Sequence, residues 1–444
     1  MKRVVTLDIL RGIAILVVIL THVFIYVVEY DIFDLNNGGS ILVIIVLAPF
    51  IFLGKWRSFF LMISAASQLY SMHKGLERKN NSFVVLMKQI FNAFLLLGVA
   101  YLFKIFLLPN AALYDCIFTG VWDISAEIPI IQVSDTLESI ALCRIVIALI
   151  YYVMTLGRGM KKSYRNIIIF GALCLISIAI TPVIVRWVYA TTGLHPFSIR
   201  YTASVSTWKE RFKRVFLANV VGWNQPLFPF VSFAFGGAIY GIIFTKKSFP
   251  KKKFLRTAFY ISLGLLILGI CLIPFSEDIR ADIWDPIYSP WITFINMGMQ
   301  SMCFLLAMKA IEFKSNNVKK IRRWRFFRRF GILSLSIYCM ELIELIPRWI
   351  TSQIFNVDLV TGRTANLGIL LVLVILTLGF WAGIVRLWEF ARFYGSLEVS
   401  LQFINGSLFW KKPNFKDPLH SQSILYNVEP ISLLEQDSQN NRTS

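Results

Sequence analysis

The first apolar segment of the chain carries three ionisable side chains at spacings that could do chemistry. Asp8, Arg11 and His22 all lie between Thr6 and His22. On an α-helix, Arg11 and His22 are eleven steps of about 100° apart, so they lie within about 20° of one face, and Asp8 within about 60° of it. At about 1.5 Å per residue, His22 lies about 16 Å deeper than Arg11, near the middle of a bilayer. One stripe therefore combines a cation near the membrane surface with a titratable base.

His22 and Glu341 are the candidate catalytic residues. Ionisable side chains inside a bilayer are costly and usually functional, and an imidazole can deprotonate a hydroxyl or an amine as a general base. The alternative for His22 is a structural hydrogen bond to a neighbouring helix. Glu341 lies deep in a later apolar segment, and both Arg144 and His22 are candidate partners for it. Glu344 has a local candidate partner, because Arg348 follows four residues later.

Five charged residues are candidates for binding an anionic donor molecule: Asp8, Arg11, Arg57, Arg78 and Arg144. Guanidinium groups suit phosphates because their paired N–H groups match the phosphate oxygens. Two structural alternatives stay open. Arg11 could extend towards lipid headgroups or pair with Asp8 three residues before it, and Arg57 could mark the interfacial end of a helix.

The composition identifies the class of protein that must position these residues. Of the 444 residues, 57% are hydrophobic and only 16% are charged, which is too few to cover the surface of a soluble domain. The net charge of +20 lies mostly in short loops between apolar segments. That pattern is a topology signal and not a nucleic-acid signal. Six cysteines lie singly and four histidines are scattered, so neither a disulfide framework nor a metal site is predicted.

We therefore predict an all-α fold, a polytopic membrane helix bundle of about ten transmembrane helices. Most of the predicted spans meet the length that a bilayer requires. The spans are Leu7–Val28, Arg57–Met72, Phe83–Leu108, Thr136–Leu156, Asn166–Ala190, Pro226–Phe244, Phe254–Phe275, Trp291–Ala310, Ile332–Ile350 and Asn366–Trp388. Residues 1–390 form one domain, and residues 391–444 form a cytoplasmic tail that is predicted to be disordered beyond about residue 410.

The loops alternate between basic and acidic, which predicts a multi-pass protein of the cell membrane with both termini in the cytoplasm. One outer loop, Thr191 to Gln225, departs from this rule because it carries five basic residues. It could meet an anionic acceptor or anionic headgroups. Alternatively, it could form an amphipathic helix at the interface.

Four sequence blocks carry a resemblance to a known family. Leu7-Asp8-x-Leu10-Arg11-Gly12-x-Ala14-Ile15, followed by His22, resembles the opening of the transmembrane acyltransferase superfamily. That superfamily includes heparan-alpha-glucosaminide N-acetyltransferase and bacterial O-acyltransferases of surface polysaccharides. The other blocks follow in family order: Arg57 to Ser64, Leu227 to Gly241, and Ser334 to Tyr338 with Tyr394 to Glu398.

The chain departs from the family pattern at three places. Ala65 or Ala66 stands where the family has a glycine in the second span. Ser396 replaces the proline of the Gly-Pro-Leu-Glu block, and Glu341 stands about where a histidine usually follows the Ser-Leu-x-x-Tyr block. With its histidine inside the first helix, the chain is nearer the bacterial pattern.

The resemblance implies an acyltransferase that moves an acyl group, often acetyl, from cytoplasmic acyl-CoA to an extracytoplasmic glycan or another hydroxyl or amine acceptor. Acetyl-CoA would then be the donor, and neither a metal nor a nucleic acid would be needed. A homodimer is compatible with this prediction. The alternative functions are a transporter or flippase for an anionic solute or lipid-linked sugar, with His22, Arg144 and Glu341 as a relay, and a non-catalytic sensor.

Overall fold

The computed structural model describes residues 4–29, 57–78, 81–107, 133–156, 162–193, 207–222, 224–246, 251–275, 289–312, 324–364 and 366–408, with a few isolated residues elsewhere. The described part is an all-α helix bundle without β-strands; it has only two isolated β-bridges. Its helices are α1 (Val5–Val27), α2 (Arg57–Glu77), α3 (Ser82–Phe106), α4 (Thr136–Thr155), α5 (Ser163–Thr192), α6 (Trp208–Val221), α7 (Leu227–Thr245), α8 (Lys251–Leu272), α9 (Pro290–Ile311), α10 (Arg325–Ile332), α11 (Ser334–Cys339), α12 (Leu345–Phe355), α13 (Leu367–Phe390) and α14 (Leu397–Leu408).

Eight helices in the described ranges are long and apolar enough to cross a membrane, namely α1, α3, α4, α5, α7, α8, α9 and α13. The prediction of a multi-pass membrane protein is confirmed by this count. The second predicted span, α2, is a helix of 21 residues that is more polar than the other eight. Its polarity has a role in the fold, because the side chains of Ser58 and Gln68 are buried inside the bundle.

The prediction of one continuous helix over 332–350 is wrong. The backbone leaves the α-helical conformation at Leu333 and again at Met340, and a 3-10 turn over Glu341–Glu344 precedes α12. A broken helix at membrane depth needs other partners for its freed backbone groups. Glu398 supplies them, because its Oε1 accepts hydrogen bonds from the Leu335 N–H at 2.8 Å and the Ser336 N–H at 3.1 Å.

This contact joins the two segments of the last sequence block noted above, Ser334 to Tyr338 and Tyr394 to Glu398. The Ser336 hydroxyl donates to Glu398 Oε2 and accepts from the Leu397 N–H at 2.8 Å. The helical body therefore continues past residue 390, since α14 is held against the broken helix. Beyond residue 408 only Leu419 and Leu425 are described, and Leu425 is buried against the bundle. The predicted disorder after about residue 410 otherwise falls outside the described residues.

Small residues set two close helix crossings. α2 packs on α7 because Gly237 lies directly against the Met62 carbonyl, and a Cβ at Gly241 would lie 2.7 Å from the Ala66 carbonyl oxygen. α1 crosses α10 at Gly12, where a Cβ would collide with the Phe327 carbonyl. Small residues let helix backbones approach closely inside membranes. Gly12 of the first block is thus a packing residue next to the candidate Arg11.

The basic loop between Thr191 and Gln225 contains α6, an amphipathic helix. Trp208, Phe212 and Phe216 lie four residues apart on one face and are 82%, 76% and 59% exposed. The opposite face is buried at Ala218. An exposed aromatic stripe with flanking basic residues is typical of a helix in the plane of a membrane interface. This geometry favours the interfacial alternative for the loop.

Candidate functional site

His22 and Glu341 meet across helices, with His22 Nδ1 2.8 Å from Glu341 Oε1. The sequence left two candidate partners for Glu341, and the structure places His22 against it. The His22 side chain is 23% exposed and that of Glu341 only 6%. His22 is five residues from the end of α1, so it lies about 8 Å from that end and not at the middle of the span. The break before Glu341 allows the contact, because it turns the carboxylate towards α1.

Four more side chains complete what we call the His22 cluster. The Tyr26 ring packs edge-on against the His22 imidazole with centroids 5.9 Å apart, and the Arg348 guanidinium lies 4.9 Å from the centre of the Tyr26 ring. The Trp381 indole N–H donates to Glu344 Oε1 at 3.2 Å. The predicted local pairing of Glu344 with Arg348 is therefore replaced by these contacts. The 3-10 turn ends at Glu344, so the regular four-residue helix spacing does not hold there.

A second polar group adjoins the cluster at the start of α4. Asp135 and Glu138 form a capping box at this helix end, and Asp135 Oδ2 also accepts from the Tyr338 hydroxyl at 3.0 Å. Lys104 forms an ion pair with Glu138, and both side chains are almost completely buried. Tyr338 lies three residues before Glu341, so it links the start of α4 to the His22 cluster.

Sequence reasoning missed Lys104 and Glu138, although a signal was available. Both residues lie inside predicted spans, the third and the fourth, where a charge always needs an explanation. Their burial as a pair explains how they are tolerated. Losing either partner would leave an uncompensated buried charge.

Arg11 and Arg144 lie at a different depth, around the middle of α2. Arg11 Nη2 donates to Ser67 Oγ at 2.9 Å, and the Gln68 side-chain amide donates to the Arg144 carbonyl at 2.7 Å. Arg144 is half-buried, and Ser67 is the eleventh of 21 residues in α2. Arg11 therefore reaches further into the bundle than a position at the membrane surface would require.

The structure does not bring all the predicted donor-binding residues together. Arg57 begins α2 and donates to Asn224 Oδ1, whereas Arg78 is exposed just beyond the other end of the helix. These two arginines are 21 residues apart, about 31 Å along the helix. Asp8 is buried where α1 meets α10, with its carbonyl against Gly331. Only Arg11 and Arg144 share one region of the bundle.

The His22 cluster contains a histidine that could act as a general base and a carboxylate that could orient it. A carboxylate that holds one ring nitrogen of a histidine orients the ring and stabilises its protonated form, while the other nitrogen can accept a proton. Broken backbone and buried polar groups are tolerated in a membrane where they line a protected or water-filled space. Within the described ranges, no group of three or more His, Cys, Asp or Glu side chains could hold a metal ion.

No protein-family model matches this chain, and no curated protein is similar to it in sequence. The residues of the site and their geometry are therefore the basis for inferring its function.

Proposed function

We propose that the protein is a membrane-bound acyltransferase that moves an acyl group, such as acetyl, from cytoplasmic acyl-CoA to an extracytoplasmic hydroxyl or amine acceptor such as a glycan. The observation that carries the proposal is the His22–Glu341 pair, held at 2.8 Å within the helix bundle. The resemblance of four sequence blocks to transmembrane acyltransferases adds to it. The two segments of the last block, Ser334 to Tyr338 and Tyr394 to Glu398, contact each other through Ser336 and Glu398.

In this proposal, His22 acts as the general base and Glu341 positions it. Nδ1 faces Glu341, so Nε2 takes the proton of the acceptor hydroxyl as its oxygen attacks the thioester carbonyl carbon. The carbon–sulfur bond then breaks, the acyl group stays on the acceptor oxygen, and the CoA sulfur receives the proton. Such proton transfer contributes about 10²- to 10⁴-fold to a rate.

The donor phosphates would bind near Arg11 and Arg144. Arg11 is about 16 Å from His22 along α1, so the elongated pantetheine arm of CoA would extend from this region towards His22. Arg78 would contribute from the exposed end of α2. Arg57 lies at the other end of that helix, about 15 Å from Ser67, which places it on the acceptor side in this proposal.

The orientation follows from the loops. We place both termini in the cytoplasm and the protein in the cell membrane, because basic loops then lie inside. Single cysteines at Trp208 and at Lys74, in a chain without its own exposed cysteines, would test this. A membrane-impermeant maleimide added to intact cells should label the cysteine at 208 and not the one at 74. The reverse labelling would overturn the orientation.

Acyl transfer itself is tested with the purified protein in liposomes. Labelled acetyl-CoA and a panel of glycans and amines are supplied on opposite sides, and free CoA thiol and labelled acceptor are measured. We expect CoA release that depends on an acceptor. Absence of transfer with donors of several acyl lengths would count against the proposal.

One observation favours a transporter as the second candidate. The broken helix carries Glu341 and Glu344 at its interruption, and interrupted helices hold substrates and ions in many secondary transporters. Uptake of an anionic solute or lipid-linked sugar into proteoliposomes, without acyl transfer, would place this candidate first.

A further inference from the structure

A cavity of about 640 Å³ lies between α5, α7, α8 and α9, away from the His22 cluster. This volume is in the range of ligand pockets. Its side walls include Ile168 on α5 and Ile261 on α8, which are 70% and 58% exposed. Since α5 and α8 are predicted to cross the membrane, the opening between them faces lipid. We call this space the lateral groove.

The groove is open because the helices that form its two walls pack on different neighbouring helices. α8 is held tightly against α9, since a Cβ at Gly298 would lie 2.6 Å from the Ser262 carbonyl oxygen and one at Gly269 would lie 2.7 Å from the Trp291 carbonyl oxygen. α5 packs instead on α7, where Phe170 meets Phe235 with ring centroids 6.0 Å apart. The gap between the walls is therefore fixed by helix packing.

The floor of the groove offers little to a polar ligand. The Tyr240 hydroxyl donates to the Ser301 carbonyl at 3.4 Å, and the Ser262 hydroxyl donates to the Ala258 carbonyl at 2.8 Å. These polar groups are already satisfied within the protein, and most of the remaining lining is aliphatic or aromatic. An acyl chain matches such a surface, because it needs no hydrogen bonds and gains by contact.

One end of the groove is cationic. Lys246, at the end of α7, and Lys253, in the first turn of α8, both line it. The Lys246 ammonium lies 3.5 Å from the centre of the Tyr164 ring, which holds it at the rim. Two lysines at one end of an apolar groove complement a molecule with an anionic head and an apolar tail.

We propose that the lateral groove binds an anionic glycerophospholipid from the adjacent leaflet, with an acyl chain against α7 and α9 and the phosphate between Lys246 and Lys253. The lysines supply the selectivity for charge, and the groove supplies affinity for the chain. This site shares no residue with the His22 cluster, so lipid binding can be tested independently of acyl transfer.

Native mass spectrometry of the purified protein tests the proposal. Phosphatidylglycerol and phosphatidylcholine with identical chains are offered at equal mole fractions, and retained lipids are counted. We expect a roughly 10- to 30-fold preference for phosphatidylglycerol, from two lysines close to one anionic group. The double variant Lys246→Gln/Lys253→Gln should reduce that preference to about one, whereas the matched pair Lys209→Gln/Lys213→Gln on α6 should keep it.

A second pair of variants tests the groove itself. Gly171 lines the groove and a Cβ there meets nothing within 4 Å, so Gly171→Leu introduces a bulky side chain at the groove wall without displacing the backbone. It should abolish retention of phosphatidylglycerol. Gly264→Leu is the control, because Gly264 on α8 has equal space but lies outside the groove. It should retain the lipid.

Three results would overturn the proposal. Equal retention of the two lipids by the unmodified protein would mean that the groove holds ordinary bilayer lipid. Unchanged binding in Gly171→Leu would place the lipid elsewhere. Displacement of phosphatidylglycerol by equimolar palmitoyl-CoA would assign the groove to an acyl-CoA donor.

Discussion

Replacing Glu341 with glutamine tests whether that residue positions the His22 base. Glutamine has nearly the same volume as glutamate but carries no charge, so Glu341→Gln removes the charge-assisted contact with His22 and leaves the packing in place. A hydrogen bond to a charged group contributes about 1.5–3 kcal/mol. At 1.36 kcal/mol per factor of ten, turnover should fall by about 10- to 150-fold.

The assay is steady-state acyl transfer by the purified protein in liposomes, with kcat and KM for acyl-CoA measured separately. We expect a lower kcat with an unchanged KM, because the donor site proposed near Arg11 lies far from Glu341. Glu77→Gln is the control. Glu77 is the last residue of α2, and its carboxylate pairs with the Lys74 ammonium at 2.6 Å. Its kcat should match that of the unmodified protein.

A Glu341→Gln variant that is folded and fully active would refute the reasoning. It would mean that the 2.8 Å contact has a structural role only. An increase in KM with an unchanged kcat would also contradict it, because Glu341 would then act in donor binding.

Three further predictions concern the surrounding structure. Gly12→Ala should lower the free energy of unfolding by about 1–3 kcal/mol, because its Cβ would collide with the α10 backbone. Gly379→Ala should leave it unchanged, because a Cβ at Gly379 meets nothing within 4 Å. Thermal unfolding of both variants checks this. Arg11→Ala should weaken CoA binding by about 1.5–3 kcal/mol in calorimetry, and an unchanged affinity would remove Arg11 from the donor site. Glu398→Gln should lower the free energy of unfolding by about 1.5–3 kcal/mol, because the charge-assisted hydrogen bonds to the broken helix are weakened. An unchanged unfolding temperature would contradict that role.

Much of the fold could be predicted because hydropathy acts locally. Spans such as α1 and α13 can be predicted because a long run of apolar residues is enough to specify a membrane-spanning helix. The break near Met340 could not be predicted in this way, since Ser334 to Ile343 is as apolar as an unbroken helix. The break at Leu333 could not be predicted from local sequence either, because the carboxylate that accepts from the Leu335 and Ser336 N–H groups belongs to Glu398, more than 50 residues further along the chain.

Part of the candidate site could also be predicted, because helix periodicity is a local property of the sequence. Helix periodicity places Arg11 and His22 on one face of α1, but it cannot show which helix packs against that face. Glu341 therefore had two candidate partners until the packing was known. The separation of Arg57 from Arg78 could have been predicted, because 21 residues of helix put the two arginines about 31 Å apart.

The central claim is tested most directly by acyl transfer in His22→Gln compared with His73→Gln. Both histidines lie within helices of the bundle, but His73 contacts the Tyr151 hydroxyl at 2.6 Å, away from the cluster. Glutamine cannot act as a base at neutral pH. We predict that His22→Gln stays folded, still binds CoA and loses about 10²- to 10⁴-fold in turnover, while His73→Gln keeps its rate within a few-fold. A folded His22→Gln variant that transfers acyl groups at the unmodified rate would contradict the claim.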